Sequence, residues 1–252
     1  MIHPTAVIHP DAKIAENVII HPFVVIEADV VVGEGTEVGA STVLLSGSRL
    51  GKHCRLSPHV VLGGTPMDTS FKGERSYVVL EDKVELREFV SVHRASGEGA
   101  ETRVGESTLI MCNTHVSHNV KIGRECTLTT TVQLGGHCQL GNYVVIGSGS
   151  MMHQFCRVGD YAMFGAGSGV NQDILPFSMA RGNPGTHYRL NKVGLERRGI
   201  VGERYKLLEK AIRAFRRKEW ETLEELALQS EDVKMMLEFK NSSKRGLCSF
   251  IG

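Results

Sequence analysis

The chain has 252 residues, with 29 Lys and Arg against 28 Asp and Glu, so its formal net charge is +1. Hydrophobic residues make up 41% of it, which is typical of a folded globular protein. The near balance of charge argues against a protein that coats nucleic acid through overall basicity. No apolar run approaches the ~20 residues that a helix needs to cross a membrane.

Every sixth residue from Ile2 onward is aliphatic over about two thirds of the chain. Of the 29 positions in this series between 2 and 170, 24 are Ile, Leu or Val. A period of six is neither the 3.6 of a helix nor the 2 of an ordinary strand, so it indicates short strands stacked in a solenoid. Gly often follows the aliphatic residue, and a small or β-branched residue stands four positions after it, as Thr36 and Cys54 do. Two positions of each hexad therefore face the core and four face outward.

The hexads resemble the left-handed parallel β-helix of the hexapeptide-repeat acyltransferases. In that fold three hexads make one triangular coil of eighteen residues, and the left hand follows from the resemblance, since general crossover rules favour the right hand. Asp68, Glu74 and Glu98 interrupt the aliphatic series in segments rich in Gly, Pro and charge. We therefore expect two loop excursions, near 64–77 and 95–103, and such loops often carry function.

The pattern changes in kind after Val170. From about Asn191 the apolar residues follow helical spacing, and a second helical segment runs from Leu223 to Leu237. We predict a mainly β protein, with the β-helix and its excursions in residues 1–185 and a C-terminal α-helical domain in residues 186–252. So short a helical domain buries little surface alone, and we expect it to pack on the solenoid or on a neighbouring subunit.

The helical segment is also basic. Nine Lys and Arg residues lie between Arg197 and Lys218, against Glu203 and Glu209. Either this is a solvated helix face, or it binds an acidic partner such as a phosphate-bearing ligand or an acidic protein. The segment has few aromatic residues and matches no nucleic-acid reader motif, so nucleic acid is not expected as a partner.

The six cysteines form no C-x-x-C pair, and four of them occupy the small position of the hexad. We interpret them as core residues of a protein in the reducing cytoplasm, since no secretory signal precedes the first repeat. Neither a disulfide nor a metal site is predicted from them.

Histidines concentrate between residues 115 and 153. Because residues eighteen apart stack ~4.8 Å from one another in adjacent coils, His118, His137 and His153 are predicted on one outward face, with His115 at the corner just before. Gly136 falls one coil above His118. A neutral imidazole can accept a proton near pH 7, and the N–H of a glycine can stabilise a developing oxyanion. A metal site is disfavoured because an outward face encloses no ion, and ordinary surface histidines are the alternative.

Several segments together identify a closer resemblance. Asn113–His118, Leu134–His137, His153–Cys156, the Asp68 loop, Gly182-Asn183 and Gly194–Gly199 resemble the UDP-N-acetylglucosamine acyltransferase family of lipid A biosynthesis, over nearly the whole chain. Such an enzyme would transfer a 3-hydroxy fatty acyl group from acyl carrier protein to the 3-position of UDP-N-acetylglucosamine. The resemblance implies a homotrimer and no cofactor, since the carrier's phosphopantetheine holds the acyl donor.

The resemblance also implies roles for single residues. His118 would be the general base and Gly136 the oxyanion donor. Met163 and Ala166 would line the acyl-chain channel. The positions implied to bind substrate, with the nucleotide end at the last three, are Asp68, His115, Asn119, His137, His153, Gln154, Asn191, Arg197 and Arg198.

Three departures from the family pattern concern the acceptor. Asn119 stands where an aspartate often follows the catalytic histidine, Ser70 replaces a common lysine, and Val193 replaces a glutamate. An acceptor with a 3-amino group, giving an amide, therefore stays open. A coenzyme-A-dependent acetyltransferase of the same fold is a further alternative, and the acyl-chain length is not fixed by one position.

Overall fold

The computed structural model describes residues 1–251, which form short strands followed by four helices. The strands are β1 (Val7–Ile8), β2 (Lys13–Ile14), β3 (Ile19–Ile20), β4 (Val25–Ile26), β5 (Val31–Val32), β6 (Glu37–Val38), β7 (Val43–Leu44), β8 (Ser48–Leu50), β9 (Arg55–Leu56), β10 (Val61–Gly64), β11 (Tyr77–Leu80), β12 (Glu85–Leu86), β13 (Ser91–His93), β14 (Glu101–Val104), β15 (Leu109–Ile110), β16 (His115–Val116), β17 (Lys121–Ile122), β18 (Thr127–Leu128), β19 (Gln133–Leu134), β20 (Gln139–Leu140), β21 (Val145–Ile146), β22 (Met151–Met152), β23 (Arg157–Val158), β24 (Met163–Phe164), β25 (Gly169–Val170), β26 (Ser178–Arg181) and β27 (Thr186–Leu190). The helices are α1 (Lys192–Arg197), α2 (Gly202–Arg217), α3 (Trp220–Ala227) and α4 (Glu231–Asn241).

The strands form three sheets, and from β1 to β25 the chain visits the sheets in rotation. Sheet 1 runs β1-β4-β7-β10-β13-β16-β19-β22-β25, sheet 2 runs β2-β5-β8-β11-β14-β17-β20-β23, and sheet 3 contains β3-β6-β9-β12-β15-β18-β21-β24-β26-β27. Pairing along each sheet is parallel, except between β26 and β27. The predicted left-handed parallel β-helix with a C-terminal helical region is confirmed.

The aliphatic series fills the interior of this triangular coil. Ile20, Leu44, Ile110, Leu128 and Ile146 are fully buried, and the buried residues of the coil form one continuous core. Burying such side chains contributes about 1.5–3 kcal/mol each, which supplies the solenoid's main stabilisation.

Three corners join the sheets, and we name each corner by the sheets it connects. The second corner residue adopts a left-handed conformation, for example Asn119 with φ 59°, His137 with φ 60° and Phe155 with φ 67°. Asn tolerates this conformation better than most residues, whereas an aromatic side chain adopts it only where the fold imposes it. The same corner therefore repeats at each coil and lines up equivalent residues in columns.

Both excursions leave the coil at the 1–2 corner. Residues 65–76 lie between β10 and β11, and residues 94–100 lie between β13 and β14. Val61 pairs with Ser91, and Ser91 pairs with His115, so these two coils are 30 and 24 residues long instead of 18. Because the extra twelve and six residues are multiples of six, the aliphatic phase survives both loops.

The C-terminal region begins on sheet 3. The predicted boundary at residue 185 lies in the turn between β26 and β27, and four helices follow. The second predicted helical segment is in fact two helices, α3 and α4. Ser230 separates them because its Oγ accepts a hydrogen bond from the Val233 N–H at 3.4 Å, which caps the start of α4.

The end of the chain returns to the solenoid. Arg157 Nη1 donates to the Ser242 carbonyl at 3.2 Å, and Cys248 is buried in the solenoid core. The helical region therefore packs on the last coils, as expected from its size. No helix within residues 1–251 has the length and hydropathy to cross a membrane.

Candidate active site

The 1–2 corner holds the residues predicted to be catalytic. His118 and Asn119 form the corner after β16, Gly136 occupies the same place one coil on, and Gln154 the next. Two details of the prediction were wrong, because His118 is buried in a corner and does not lie on an outward face, whereas His115 lies on strand β16 and not at the corner. A six-residue period shows which residues align but not where the turn falls within the hexad.

His118 is almost completely buried at the bottom of this corner. The whole residue is 7% exposed to solvent, and its Nδ1 lies 2.9 Å from Asn119 Oδ1. An amide oxygen only accepts hydrogen bonds, so Nδ1 carries the proton of the neutral ring and Nε2 is left with its lone pair. Nε2 is the atom that can accept a proton from a substrate.

Gly136 lies directly against that nitrogen. A Cβ built on Gly136 would stand 2.6 Å from both Nε2 and Cε1 of His118, closer than van der Waals contact permits. Only glycine fits there without displacing the ring. Within residues 1–251 the Gly136 N–H donates to no acceptor, so a free donor lies beside a free acceptor.

Asp68 and His137 flank His118. Asp68 Oδ2 lies 4.0 Å from His118 Nδ1, and hydrogen bonds from the Ser70 N–H and hydroxyl lower the pKa of Asp68 to about 2, so the carboxylate is charged. The His137 ring lies 5.2 Å from the His118 ring, and burial lowers the pKa of His137. This loop carboxylate therefore faces two imidazoles, of which His137 is held in the neutral form at neutral pH.

The same three groups are the candidates for a metal site. Their nearest ligand atoms all lie within 4.8 Å of one another, and they are Asp68, His118 and His137. Ligand atoms about 2.0–2.2 Å from a zinc ion stand closer together than that, and His118 Nδ1 is already hydrogen-bonded. The donor types suit zinc, and His118 would offer it Nε2, the ring nitrogen that Asn119 leaves free.

His115 forms a second histidine pair beside the first. Its Nδ1 lies 2.8 Å from Ser91 Oγ and its Nε2 lies 3.1 Å from Ser117 Oγ, and burial lowers its pKa to about 4. Both ring nitrogens are thus occupied within the protein. The His115 ring meets the edge of the His93 ring at 4.8 Å.

His93 is a site residue that the sequence reading missed. Its ring lies against Gly64, where the first excursion leaves the coil, and its Nδ1 is buried without a partner in residues 1–251. An eighteen-residue step does not bring residue 93 to this corner, because the coils here are longer. The only available signal was a histidine immediately after the aliphatic Val92 at the edge of a loop.

His153 and Gln154 lie one coil further along. His153 Nδ1 donates to the Gln154 carbonyl at 3.1 Å, and the ring lines a surface cavity with Met151 and Asn183. Gln154 stacks above Gly136 in the corner column. His153 therefore lies beside the surface of sheet 1, apart from the His118 and His137 rings, which contact each other.

The residues implied for the nucleotide lie at a different corner. Arg198 Nη1 lies 2.6 Å from Glu125 Oε2, and its guanidinium covers the Tyr143 ring at 4.4 Å, which places it on the 2–3 corner. Asn191 is buried and caps α1, since its Oδ1 accepts from the Gly194 N–H and its Nδ2 donates to the Tyr161 carbonyl. Arg197 ends α1. One protomer does not bring these residues to His118.

The residues implied for the acyl channel lie on yet another part of the triangle. Met163 is on β24 in sheet 3, and Ala166 is at the 3–1 corner. The residues implied for the base, the nucleotide and the acyl chain are therefore distributed around the coil of a single protomer.

Comparison with known proteins places the chain in a family. It is 37% identical to the acyl-[acyl-carrier-protein]–UDP-N-acetylglucosamine O-acyltransferase of Stenotrophomonas maltophilia, covering 98% of this chain and 97% of that protein. The enzyme of the same name from Burkholderia ambifaria is 41% identical, with 98% of each chain covered. The chain belongs to the UDP-N-acetylglucosamine acyltransferase family. It is an acyltransferase, and residues 173–248 match the family model described as UDP-N-acetylglucosamine O-acyltransferase, domain 2.

Solved structures agree with the family assignment. The Francisella novicida UDP-N-acetylglucosamine acyltransferase superimposes with a TM-score of 0.95 at 32% identity, covering 99% of this chain and 94% of that one. The enzyme from Bacteroides fragilis gives a TM-score of 0.93 at 34% identity, covering 98% and 99%. The likeness includes both loop excursions and the helical region, since nearly the whole of each chain is aligned.

Proposed function

We propose that this acyltransferase moves a 3-hydroxyacyl group from acyl carrier protein to the 3-hydroxyl of UDP-N-acetylglucosamine, with His118 as general base. One observation carries the proposal: the unprotonated Nε2 of His118 lies against Gly136, whose N–H is free. A proton acceptor and an oxyanion donor are thus adjacent in one buried corner. The relatives' names supply the substrates.

The reaction follows from that pairing. His118 Nε2 takes the proton of the sugar hydroxyl as the oxygen attacks the thioester carbonyl carbon. The carbonyl π electrons move to oxygen, and the Gly136 N–H stabilises the resulting oxyanion. When the intermediate collapses, the C–S bond breaks, and His118 returns its proton to the departing thiolate. The ester, the free carrier thiol and neutral His118 are the products.

Asp68 is suited to hold the acceptor. It is charged, it lies on a loop that overhangs the corner, and its Oδ2 is close to His118. A carboxylate accepts hydrogen bonds from sugar hydroxyls. His137 and Gln154, which neighbour Gly136 along the corner column, are proposed to complete the contacts to sugar and diphosphate, with His115 and His153 further out.

A basic groove in the helical region is suited to the carrier protein. Four basic residues line it against one carboxylate, Glu209, which lies 3.8 Å from the Arg213 guanidinium; the four are Arg189, Lys192, Arg213 and Arg216. Acyl carrier protein is the partner implied by the relatives' names, and complementary charge speeds the encounter of such partners.

The division of residues among corners supports a homotrimer. Arg197 and Arg198 lie at the 2–3 corner, and His118 lies at the 1–2 corner of the same chain. If three copies pack around a threefold axis, the 2–3 corner of one copy can face the 1–2 corner of the next. Each site would then contain a base from one copy and nucleotide contacts from its neighbour.

The test is acyl transfer by the purified protein, followed by mass spectrometry. We expect His118→Ala to lower kcat by about 10²–10⁴-fold, because general-base catalysis is lost. Gly136→Ala should lower kcat as well, since the added methyl group displaces the ring. Circular dichroism and the melting temperature should stay near those of the parent protein, as His118 lies in a corner outside the aliphatic core. A His118→Ala enzyme with near-normal kcat contradicts the mechanism.

Three further arms of this assay separate the alternatives. Acyl carrier thioesters are compared with acetyl-coenzyme A, and UDP-N-acetylglucosamine with its 3-amino analogue. An amide product from the analogue alone would move the acceptor to the amino sugar. A chelator should leave the rate unchanged, and loss of activity restored by zinc would assign Asp68, His118 and His137 to a metal instead.

A further inference from the structure

We propose that Ser96, on the second excursion, and Glu74, on the first, are positioning residues that fix the tautomer of His118 by holding the amide of Asn119. This inference rests on the proposed function, because it concerns the nitrogen that serves as the base. It goes further in assigning a role to the two loops themselves.

The Asn119 amide is gripped at both ends by one residue. Its Nδ2 donates to the Ser96 carbonyl at 3.0 Å, and its Oδ1 accepts from the Ser96 N–H at 2.9 Å. The backbone of the same residue is also held, since the Asn119 backbone N–H donates to Thr102 Oγ1 at 2.8 Å. Flipping the amide would place its NH₂ against the Ser96 N–H and its oxygen against the Ser96 carbonyl, so the oxygen must face His118 Nδ1.

A latch from the first excursion holds Ser96 in place. Glu74 Oε1 accepts from the Gly97 N–H at 2.8 Å and lies 3.4 Å from Ser96 Oγ, while its Oε2 accepts from the Lys72 N–H at 2.8 Å. The Arg75 N–H in turn donates to Glu98 Oε2 at 3.2 Å. Hydrogen bonds therefore join the loop that carries Asp68 to the loop that carries Ser96. Through Ser96 and Asn119 this chain of hydrogen bonds reaches the His118 ring.

This arrangement requires an amide at position 119. An aspartate there would place a carboxylate oxygen where Nδ2 now stands, 3.0 Å from the Ser96 carbonyl oxygen. Two acceptors at that distance repel each other, so the side chain must rotate or the loop must shift. Asn119→Asp, which introduces the residue common elsewhere in the family, should therefore impair this enzyme.

The charged and titratable groups that face His118 are few. Asp68 is the carboxylate, 4.0 Å from Nδ1, His137 meets the ring at 5.2 Å, and His93 lies beyond at the base of the first loop. An aspartate at 119 adds a second carboxylate to this set. We therefore expect the pH profile of kcat to move when Asn119 becomes Asp. It should not move when Glu74 becomes Ala, because none of the charged groups that face His118 changes.

The first experiment reads the tautomer directly, by ¹⁵N NMR of histidine-labelled enzyme with His118→Gln to assign the resonance. The parent should show protonated Nδ1 and unprotonated Nε2 for His118. Glu74→Ala should mix the two tautomers because it releases Ser96. Asn119→Asp should mix them because repulsion from the Ser96 carbonyl turns the carboxylate away from Nδ1. Glu98→Gln, on the same excursion as Ser96, is the matched control. The amide oxygen of Gln still accepts from the Arg75 N–H, so this variant should show the parent's tautomer.

The second experiment is the pH dependence of kcat and KM for the same variants. Asn119→Asp should lower kcat by on the order of tenfold or more with little change in KM, since a wrong tautomer blocks the base and not the binding. Glu74→Ala should show a smaller loss without a new ionisation. A merely structural role would lower the melting temperature and leave the tautomer and the profile unchanged.

The outcomes separate this inference from the proposed function. If Asn119→Asp keeps both the parent tautomer and the parent kcat, the inference is overturned. If the tautomers mix as expected but His118→Ala remains active, the loops do set the ring and His118 is not the base. If Asn119→Asp does not fold, Glu74→Ala decides, because it leaves Asn119 intact.

Discussion

His187 shows how burial acts on a single ring. It lies in β27, where its Nδ1–H donates to the Cys248 carbonyl at 2.9 Å and its Nε2 accepts from the Leu175 N–H at 2.9 Å. Burial lowers its pKa to about 4. A protonated ring would have to present a second N–H to the Leu175 N–H, so the folded state excludes the charged form.

A stability loss in acid follows from that pKa. An unfolded histidine titrates near 6.5, so the unfolded chain binds the proton first as the pH falls. His187 therefore contributes full stability above about pH 6.5, and stability is lost as the pH falls toward 4. Linkage gives a loss on the order of 2 kcal/mol at pH 5 from this residue. His115, whose pKa is also lowered to about 4, acts in the same direction.

The measurement is the melting temperature between pH 7.5 and pH 5. We expect it to fall for the parent and to fall less steeply for His187→Gln, whose amide can donate to Cys248 and accept from Leu175. His3→Gln, at an outer position of the first coil, should show the parent's slope. An unchanged slope in His187→Gln would mean that other groups control the acid transition.

At the scale of the strands, the hexad places four thiols in the core, and the returning C-terminal segment adds Cys248. Cys54, Cys126, Cys138, Cys156 and Cys248 are buried and free, and burial raises the pKa of each to between about 11 and about 12. The thiolate is the reactive form. Cys112 is only half-buried, but its thiol donates to Glu88 Oε2 at 2.8 Å and its pKa is also raised.

We therefore expect slow thiol modification in the native protein. At pH 8 a disulfide reagent should label at most Cys112 within minutes, and all six thiols should react once the protein is denatured. Leu228→Cys serves as a positive control because Leu228 is 90% exposed. Rapid labelling of several thiols in the folded parent would contradict the core assignment.

The period predicted the strands and the positions of both excursions, but not the path of the chain within those loops. His118 and Gly136 were predictable as neighbours because the register from β16 to β19 and β22 is an unbroken eighteen residues. His93 was not, because the coil that contains it is 24 residues long. Nor could a hydrophobic period report that Ser96 reaches Asn119, since those bonds depend on the backbone path of a loop.

At the scale of the whole molecule, the proposed trimer would build each site from two copies, and mixing variants tests this. His118→Ala and Arg197→Ala protomers, each inactive alone, should regain activity when they are unfolded together and refolded. With random mixing around a closed ring, about a quarter of the sites would combine an intact His118 with a neighbour's intact Arg197. Mixing the folded proteins without exchange is the control. No recovery after verified exchange would place both residues in one protomer's site.

The length of the strands has a consequence at the open end of the solenoid. The first coil contributes β1 and β2, two residues each, and residues 1–3 form a single bridge beside β3, so the edge strands are very short and Ile2 and Val7 are more than half exposed. A long, flat edge strand would be a template for fibre growth, but very short edge strands give an incoming chain few hydrogen bonds. Corners that bend away after every pair of residues thus protect this edge from polymerisation.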